Sequence, residues 1–108
     1  MEALKFTQTT LSPFWNIGDI CYDIGTRFGT GKDCEKNLEL AAIWLALAAI
    51  VKNKDAQIEL GVMLANGRGV PVDVKNAINL VGEIANQGDN IAITELNEIL
   101  LTKGGNSI

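Results

Sequence analysis

Histidine is absent from the 108-residue chain. That removes the commonest metal ligand and the commonest general base at neutral pH. It also removes any Ser-His-Asp or Cys-His arrangement for nucleophilic attack. Cysteine occurs twice, at Cys21 and Cys34, without a Cys-x-x-Cys spacing. Two such cysteines form no zinc-ligand pattern, and free, packed thiols in a reducing compartment are expected. Positive charge is scarce: nine Lys and Arg face thirteen Asp and Glu, a net charge of −4. No basic stripe can displace counterions from nucleic acid or bind an anionic membrane. A basic protein partner fits better, although mild acidity also serves solubility. The longest uncharged apolar run, LAAIWLALAAIV at 40–51, has 12 residues. A bilayer needs about 20. The N-terminus has no basic start followed by an apolar run, so no secretory signal is read and a cytoplasmic location is expected.

What is present fits one small domain. Apolar residues make up 47% of the chain, ample for a core. A chain of this size buries roughly 65% of its unfolded surface. The strongest pattern is Ala56-Gln57-Ile58-Glu59-Leu60-Gly61-Val62-Met63-Leu64-Ala65-Asn66-Gly67-Arg68-Gly69-Val70, a helix running into a glycine turn. Ile24-Gly25-Thr26-Arg27-Phe28-Gly29-Thr30-Gly31 echoes it at a constant offset of 36 residues. A fixed period in this range signals a repeat architecture, whose usual product is a binding surface.

Punctuation predicts five helices. Ser12-Pro13 suits a helix start, and the first helix is expected over about 13–28, ended by Gly29 and Gly31. Asn37 is the expected cap of a second helix through about Val51. After the turn Lys52-Asn53-Lys54, a third helix runs over about 54–65, broken by Gly67, Gly69 and Pro71. Asp73, which is 36 residues after Asn37, caps a fourth helix to about Asn86. Gly88-Asp89-Asn90 turns into a fifth, over about 90–102. In domain terms this gives an N-terminal arm (1–12), repeat 1 (13–51), repeat 2 (52–88), a capping helix (89–102) and a tail (103–108).

Aligned at 36 residues, Ile24, Leu60 and Leu96 coincide, as do Gly25 and Gly61, with Asn97 in the third copy. Phe28 falls on Leu64, Ala41 on Ala77, Trp44 on Leu80, Ala49 on Ala85 and Ala56 on Ala92. Small residues recur where helices must approach closely, and large apolar ones recur where space must be filled. These residues resemble the Sel-1-like repeat, a relative of the tetratricopeptide repeat. In the second copy Ala56, Leu60, Gly61, Gly67, Gly69, Val70, Asp73, Ala77 and Ala85 match its pattern, with Leu64 and Leu80 replacing aromatics. The first copy diverges more: Ile24, Gly25, Phe28, Gly31, Ala41, Trp44, Ala48 and Ala49 match, while Asp33 and Cys34 stand where the pattern has Gly-Val. The resemblance covers about residues 16–101. It implies an all-α fold, a short right-handed solenoid of five antiparallel helices, with the last as a cap.

The resemblance also implies that the first helix of each pair lines a groove, with Leu60, Gly61 and Leu64 facing the interior. The groove positions are then Asp19, Tyr22, Thr26 and Thr30; Asp55, Ile58, Val62, Ala65 and Asn66; and Ile91, Thr94, Glu98 and Thr102. Carboxylates around Tyr22 and Ile58 suit a partner with basic and apolar side chains; an ordinary solvated face is the plainer reading. The second helix should bury Ala41, Trp44, Leu45, Ala48 and Ala49. Its other face carries Ile43, Leu47 and Ile50, an apolar stripe at helical spacing. The fourth helix has Asn76, Asn79, Glu83 and Asn86 on the corresponding face. A cover is expected for the stripe: the N-terminal arm with Leu4, Phe6 and Leu11, a homodimer through the second helix, or a partner protein.

Catalytic patterns fail on inspection. Gly29-Thr30-Gly31-Lys32 is no phosphate loop, because Thr26 stands where a glycine is needed and Asp33 where Ser or Thr is needed. Asp19 and Asp23 share a helix face, but recur in part as Asp55, Glu59 and Glu95, a repeat-surface pattern. Cysteine-rich members of the resembled family have been assigned hydrolase activity, with a cysteine pair joining the two helices of each repeat; Cys21 and Cys34 do not occupy that pattern. No enzyme, cofactor or metal is expected. The expected function is protein binding, as in a small bacterial immunity or inhibitor protein that docks on a basic toxin or effector. The alternative is a scaffold or regulatory adaptor in a larger assembly.

Overall fold

The structure, a computed structural model, describes residues 16–104. Five α-helices follow one another: α1 Ile17–Thr30, α2 Leu38–Ile50, α3 Lys54–Asn66, α4 Val74–Ala85 and α5 Asn90–Ile99. A π-helical turn, Leu100–Gly104, continues α5. No strand occurs among the described residues. Each helix packs mainly on its neighbours in sequence, while α1, α3 and α5 touch one another only lightly. The all-α solenoid expected from the repeat is the fold found: two helical hairpins and a single terminal helix.

Side-chain caps explain where four of the helices start. The Oδ1 atoms of Asn37, Asn53, Asp73 and Asp89 accept from the amides of Leu40, Ala56, Asn76 and Ala92 at 2.9–3.1 Å. Each such cap contributes about 1 kcal/mol. They form two pairs 36 residues apart, 37 with 73 and 53 with 89. Sequence reasoning found the first pair and read the second as plain turns, although the same offset marks it. The first helix departs from expectation. Asn16 is non-helical and makes no side-chain cap bond, so α1 starts at Ile17 rather than near 13. The Ser12-Pro13 signal and the arm residues Leu4, Phe6 and Leu11 lie outside the described residues. Gly29 sits inside α1, and closure comes at Gly31, which takes a left-handed φ of 79°. There the amides of Gly31 and Lys32 both donate to the Arg27 carbonyl. At the other end, regular α geometry stops at Ile99, short of the expected 102.

The core divides between the two hairpins. Leu45, Ala41, Ala48, Cys21 and Met63 anchor the first cluster, and Val81, Ala77, Ile84 and Ile99 the second. Burying Leu45 and Val81 contributes about 1.5–3 kcal/mol each. A glycine lets each hairpin close. A Cβ on Gly25 would stand 2.9 Å from Leu45 Cγ and 3.3 Å from the Ala41 carbonyl oxygen. On Gly61 it would stand 2.4 Å from Val81 Cγ2 and 3.3 Å from the Ala77 oxygen. Both sets of partners are again 36 residues apart, so the repeat seen in sequence is a repeat of contacts. Both cysteines are free; Cys21 is buried and Cys34 exposed.

Candidate functional site

Helices α1, α3 and α5 are the first helices of successive copies, so equivalent side chains recur along the face they share. A shallow depression crosses all three. Tyr22 of α1, Asp55, Ile58, Glu59 and Val62 of α3, and Ile91 and Glu95 of α5 line it. Its carboxylates make no close ion pair among the described residues, although the Lys54 charge acts on Asp55. The ion pairs among the described residues join Asp23 to Arg27 at 3.1 Å, Lys52 to Glu83 at 3.4 Å and Lys54 to Asp89 at 2.9 Å. Asp55, Glu59, Glu95 and Glu98 take part in none of them. Burial raises the Tyr22 hydroxyl, and the charge and hydrogen bond of Glu59 and the charge of Asp55 raise it further, to about 12. Tyr22 is therefore a neutral phenol throughout the ordinary pH range, able to donate. The arrangement offers acceptors and negative charge around an aliphatic floor, which suits basic and apolar groups together.

The expected groove residues divide into four groups. Tyr22, Asp55, Ile58 and Val62 meet in the depression, but Ile58 is only 7% exposed and belongs to its floor and to the core. Ala65 is similarly buried. Val62, Asn66 and Glu98 line a neighbouring recess between α3 and α5, with Glu95 and Lys103. Thr26 and Thr30 line a third recess, between α1 and α3. Asp19 and Thr94 line none of these. Asp19 accepts from Asn53 Nδ2 at 2.8 Å and from the Asn16 amide, tying α1 to the start of α3. The Thr94 hydroxyl donates to its own helix, at the Asn90 carbonyl, 3.0 Å away. Glu59, Glu95 and Arg68 were not singled out as groove residues. Glu59 and Glu95 are 36 residues apart, and that offset was the available signal.

The outer face of α2 is as apolar as its sequence. Ile43, Leu47 and Ile50 are 55%, 44% and 72% exposed. Their counterparts on α4, Asn79, Glu83 and Asn86, are exposed and polar. Leu60 and Leu64, expected in the interior, are only half-buried. They line an apolar recess beside the stripe with Ala42, Ile43, Ala46 and Val70. Leu60 still packs against the first core cluster and Leu64 against the second. No helix among the described residues is long and apolar enough to cross a membrane.

The Sel1 repeat family model matches residues 19–50 and 54–89. Among solved structures, a Sel1 repeat protein from Oxalobacter formigenes is similar at 35% identity and a TM-score of 0.72, over 76% of this chain and 24% of that one. The Helicobacter pylori cysteine rich protein B is similar at 26% identity and a TM-score of 0.66, over 71% of this chain and 58% of that one. The chain thus spans less than two thirds of either protein. No curated protein matches it.

Proposed function

The chain belongs to the Sel1 repeat family, and from that premise we propose that it is a protein-binding module. In the sharper form of this reading, its acidic first-helix face docks on a basic toxin or effector and neutralises it, as a small bacterial immunity or inhibitor protein does. It acts by occupancy rather than catalysis. Sel1 repeat proteins generally mediate protein–protein interaction, which supports the class. One observation carries the partner's chemistry: Asp55, Glu59 and Glu95 surround an aliphatic floor and take part in no ion pair among the described residues. Complementary charge of this kind acts mainly on the association rate and is screened by salt.

The test uses the full chain as bait in extracts of its native host, beside a variant carrying Asp55→Lys, Glu59→Lys and Glu95→Lys. One salt-sensitive complex, lost in the variant while its circular dichroism is unchanged, is the expected result. A complex that ignores both salt and the triple reversal would sink this reading. A second reading, a scaffold or adaptor subunit, draws on the exposed Ile43, Leu47 and Ile50 stripe. It expects oligomers, or several partners held through α2.

A further inference from the structure

The recess between α1 and α3 has a counterpart one repeat later, between α3 and α5, and the two differ in their lining: Met63 stands in the first where Ile99 stands in the second, and Val62 where Glu98 stands. Gly29 stands at the wall of the first, and a Cβ there would meet only Ala41 Cβ, at an ordinary 3.7 Å. The residue 36 positions on is Ala65, which is 1% exposed and lines the counterpart recess. The recess at Gly29 has a volume of about 190 Å³. Leu38, Ala41, Leu45 and Met63 form its apolar floor. An apolar cavity of roughly 150 Å³ is enough to take up benzene, so this one has room for a single aliphatic side chain.

The rim has its own chemistry. Thr26, Thr30, Glu59 and Arg68 surround the opening. The two threonine hydroxyls donate back to the Asp23 and Thr26 carbonyls, each at 2.9 Å, which leaves their oxygens free to accept. Glu59 also borders the acidic depression that crosses α1, α3 and α5. An aliphatic group entering here therefore has carboxylate and acceptor oxygens beside it, on the side that leads to Glu95.

We infer that this cavity is the anchor site of the proposed interaction: it takes one aliphatic side chain, of leucine size, from a partner segment whose adjacent basic residue pairs with Glu59. The inference rests on the proposed function and names the chemistry of the segment that binds. Leucine fits because it fills the floor without a polar atom. A basic neighbour fits because Glu59, Asp55 and Glu95 have no internal ion pair.

Small amide probes test this without knowledge of the partner. N-acetyl-leucine methylamide, titrated into the ¹⁵N-labelled full chain, should give saturable shifts at the amides of Gly25, Gly29, Leu45 and Met63. The alanine analogue should bind at least about tenfold more weakly, since it lacks most of the buried carbon. Gly29→Leu fills the cavity from within and should abolish the shifts while leaving the helical dichroism intact; Gly29→Ala, the milder change, should weaken them. N-acetyl-Lys-Leu methylamide should bind more tightly than its Glu-Leu analogue at low salt. Shifts centred on Ile43, Leu47 and Ile50, equal affinity of the two dipeptides, or a Gly29→Leu variant that still binds would overturn the inference. The two levels separate cleanly. If host-partner capture is lost on charge reversal but survives Gly29→Leu, the anchor site fails and the acidic face stands.

Discussion

The two hairpins share one set of contacts but differ in how strictly each position is held. Gly25 against Leu45 and Gly61 against Val81 are the same junction, with the second much tighter. The turns differ more. Gly69 has a φ of 76°, and a Cβ there would lie 2.3 Å from the Leu38 carbonyl oxygen. Asp33, 36 residues earlier, adopts the same left-handed conformation at φ 62° but is exposed. Lys52 at φ 67° likewise stands where the second copy has Gly88 at φ 87°. Backbone shape is therefore preserved between copies, whereas glycine is compulsory only where another helix leaves no room for a side chain. The outward faces show the reverse: identical geometry, opposite polarity, with Ile43, Leu47 and Ile50 against Asn79, Glu83 and Asn86.

That polarity contrast carries the largest expected effect. Three apolar side chains, each worth about 1.5–3 kcal/mol when fully buried, are expected to be covered by residues 1–11 or by another chain. Deleting residues 1–11 should lower the melting temperature in the first case. In the second, Leu47→Glu should dissociate an oligomer or abolish partner binding, with the monomer still folded by circular dichroism. If neither change has an effect, and a cysteine at position 47 labels freely, the stripe stands in water and the two outer faces are functionally alike.

The glycine junction comes next. Gly61→Leu should cost about 3 kcal/mol in urea denaturation, because the new side chain meets the fully buried Val81. Gly25→Ala should cost less, since the new Cβ would stand 2.9 Å from Leu45 Cγ rather than the 2.4 Å from Val81 Cγ2 met at Gly61. An equal loss from Gly25→Ala and Gly61→Ala would show the two junctions to be equally tight.

The turns should separate the copies further. Gly69→Ala combines left-handed strain with a clash against backbone and should cost about 2–3 kcal/mol. Asp33→Ala carries the strain alone, and a loss under about 1 kcal/mol is expected by the same measurement. A smaller gain is expected from Lys52→Gly. Relief of the left-handed conformation is worth about 1 kcal/mol, offset by loss of the exposed Lys52–Glu83 pair, worth about 0–1 kcal/mol. A lower melting temperature for Lys52→Gly would mean that the ion pair outweighs the backbone strain.

The smallest effect concerns the paired caps. The Ala92 amide, then the hydrogen bond from Lys54, hold the Asp89 carboxyl below the usual aspartate range, and the same bond holds Lys54 above its ordinary value. A lowered folded pKa gives stability that is complete above the unfolded value, about 3.9, and is lost as pH falls through the folded one. Asn53, the equivalent cap, does not titrate. Asp89→Asn should therefore flatten the acid limb of the melting curve below about pH 4. An unchanged limb would place the acid sensitivity on other carboxylates.

Much of the fold was legible because its signals are local. The 36-residue offset, the Asn37 and Asp73 caps and the breaks at Gly31 and Gly67 each act within one or two helical turns. They placed α2, α3 and α4 to within about a residue. The start of α1 was misplaced because a proline and serine at 12–13 read as a start, whereas Asn16 precedes the helix observed. The site was legible in part. Asp55, Tyr22 and Val62, expected on one face, line one depression, whereas Ile58 and Ala65, expected at its surface, are buried.

What the sequence determined by itself is the repeat: its period, its helices and the close approaches at Gly25 and Gly61, since each follows from periodicity and residue size along one stretch of chain. Only the tertiary structure decided which carboxylates share a depression, that Leu38, Ala41, Leu45 and Met63 meet beneath the recess at Gly29, and that Asp19 is spent on tying α1 to Asn53. Those outcomes depend on the separation between α1, α3 and α5, which are not neighbours in sequence. That separation is set by how α2 and α4 wedge between them, a sum over both hairpins that no single segment encodes.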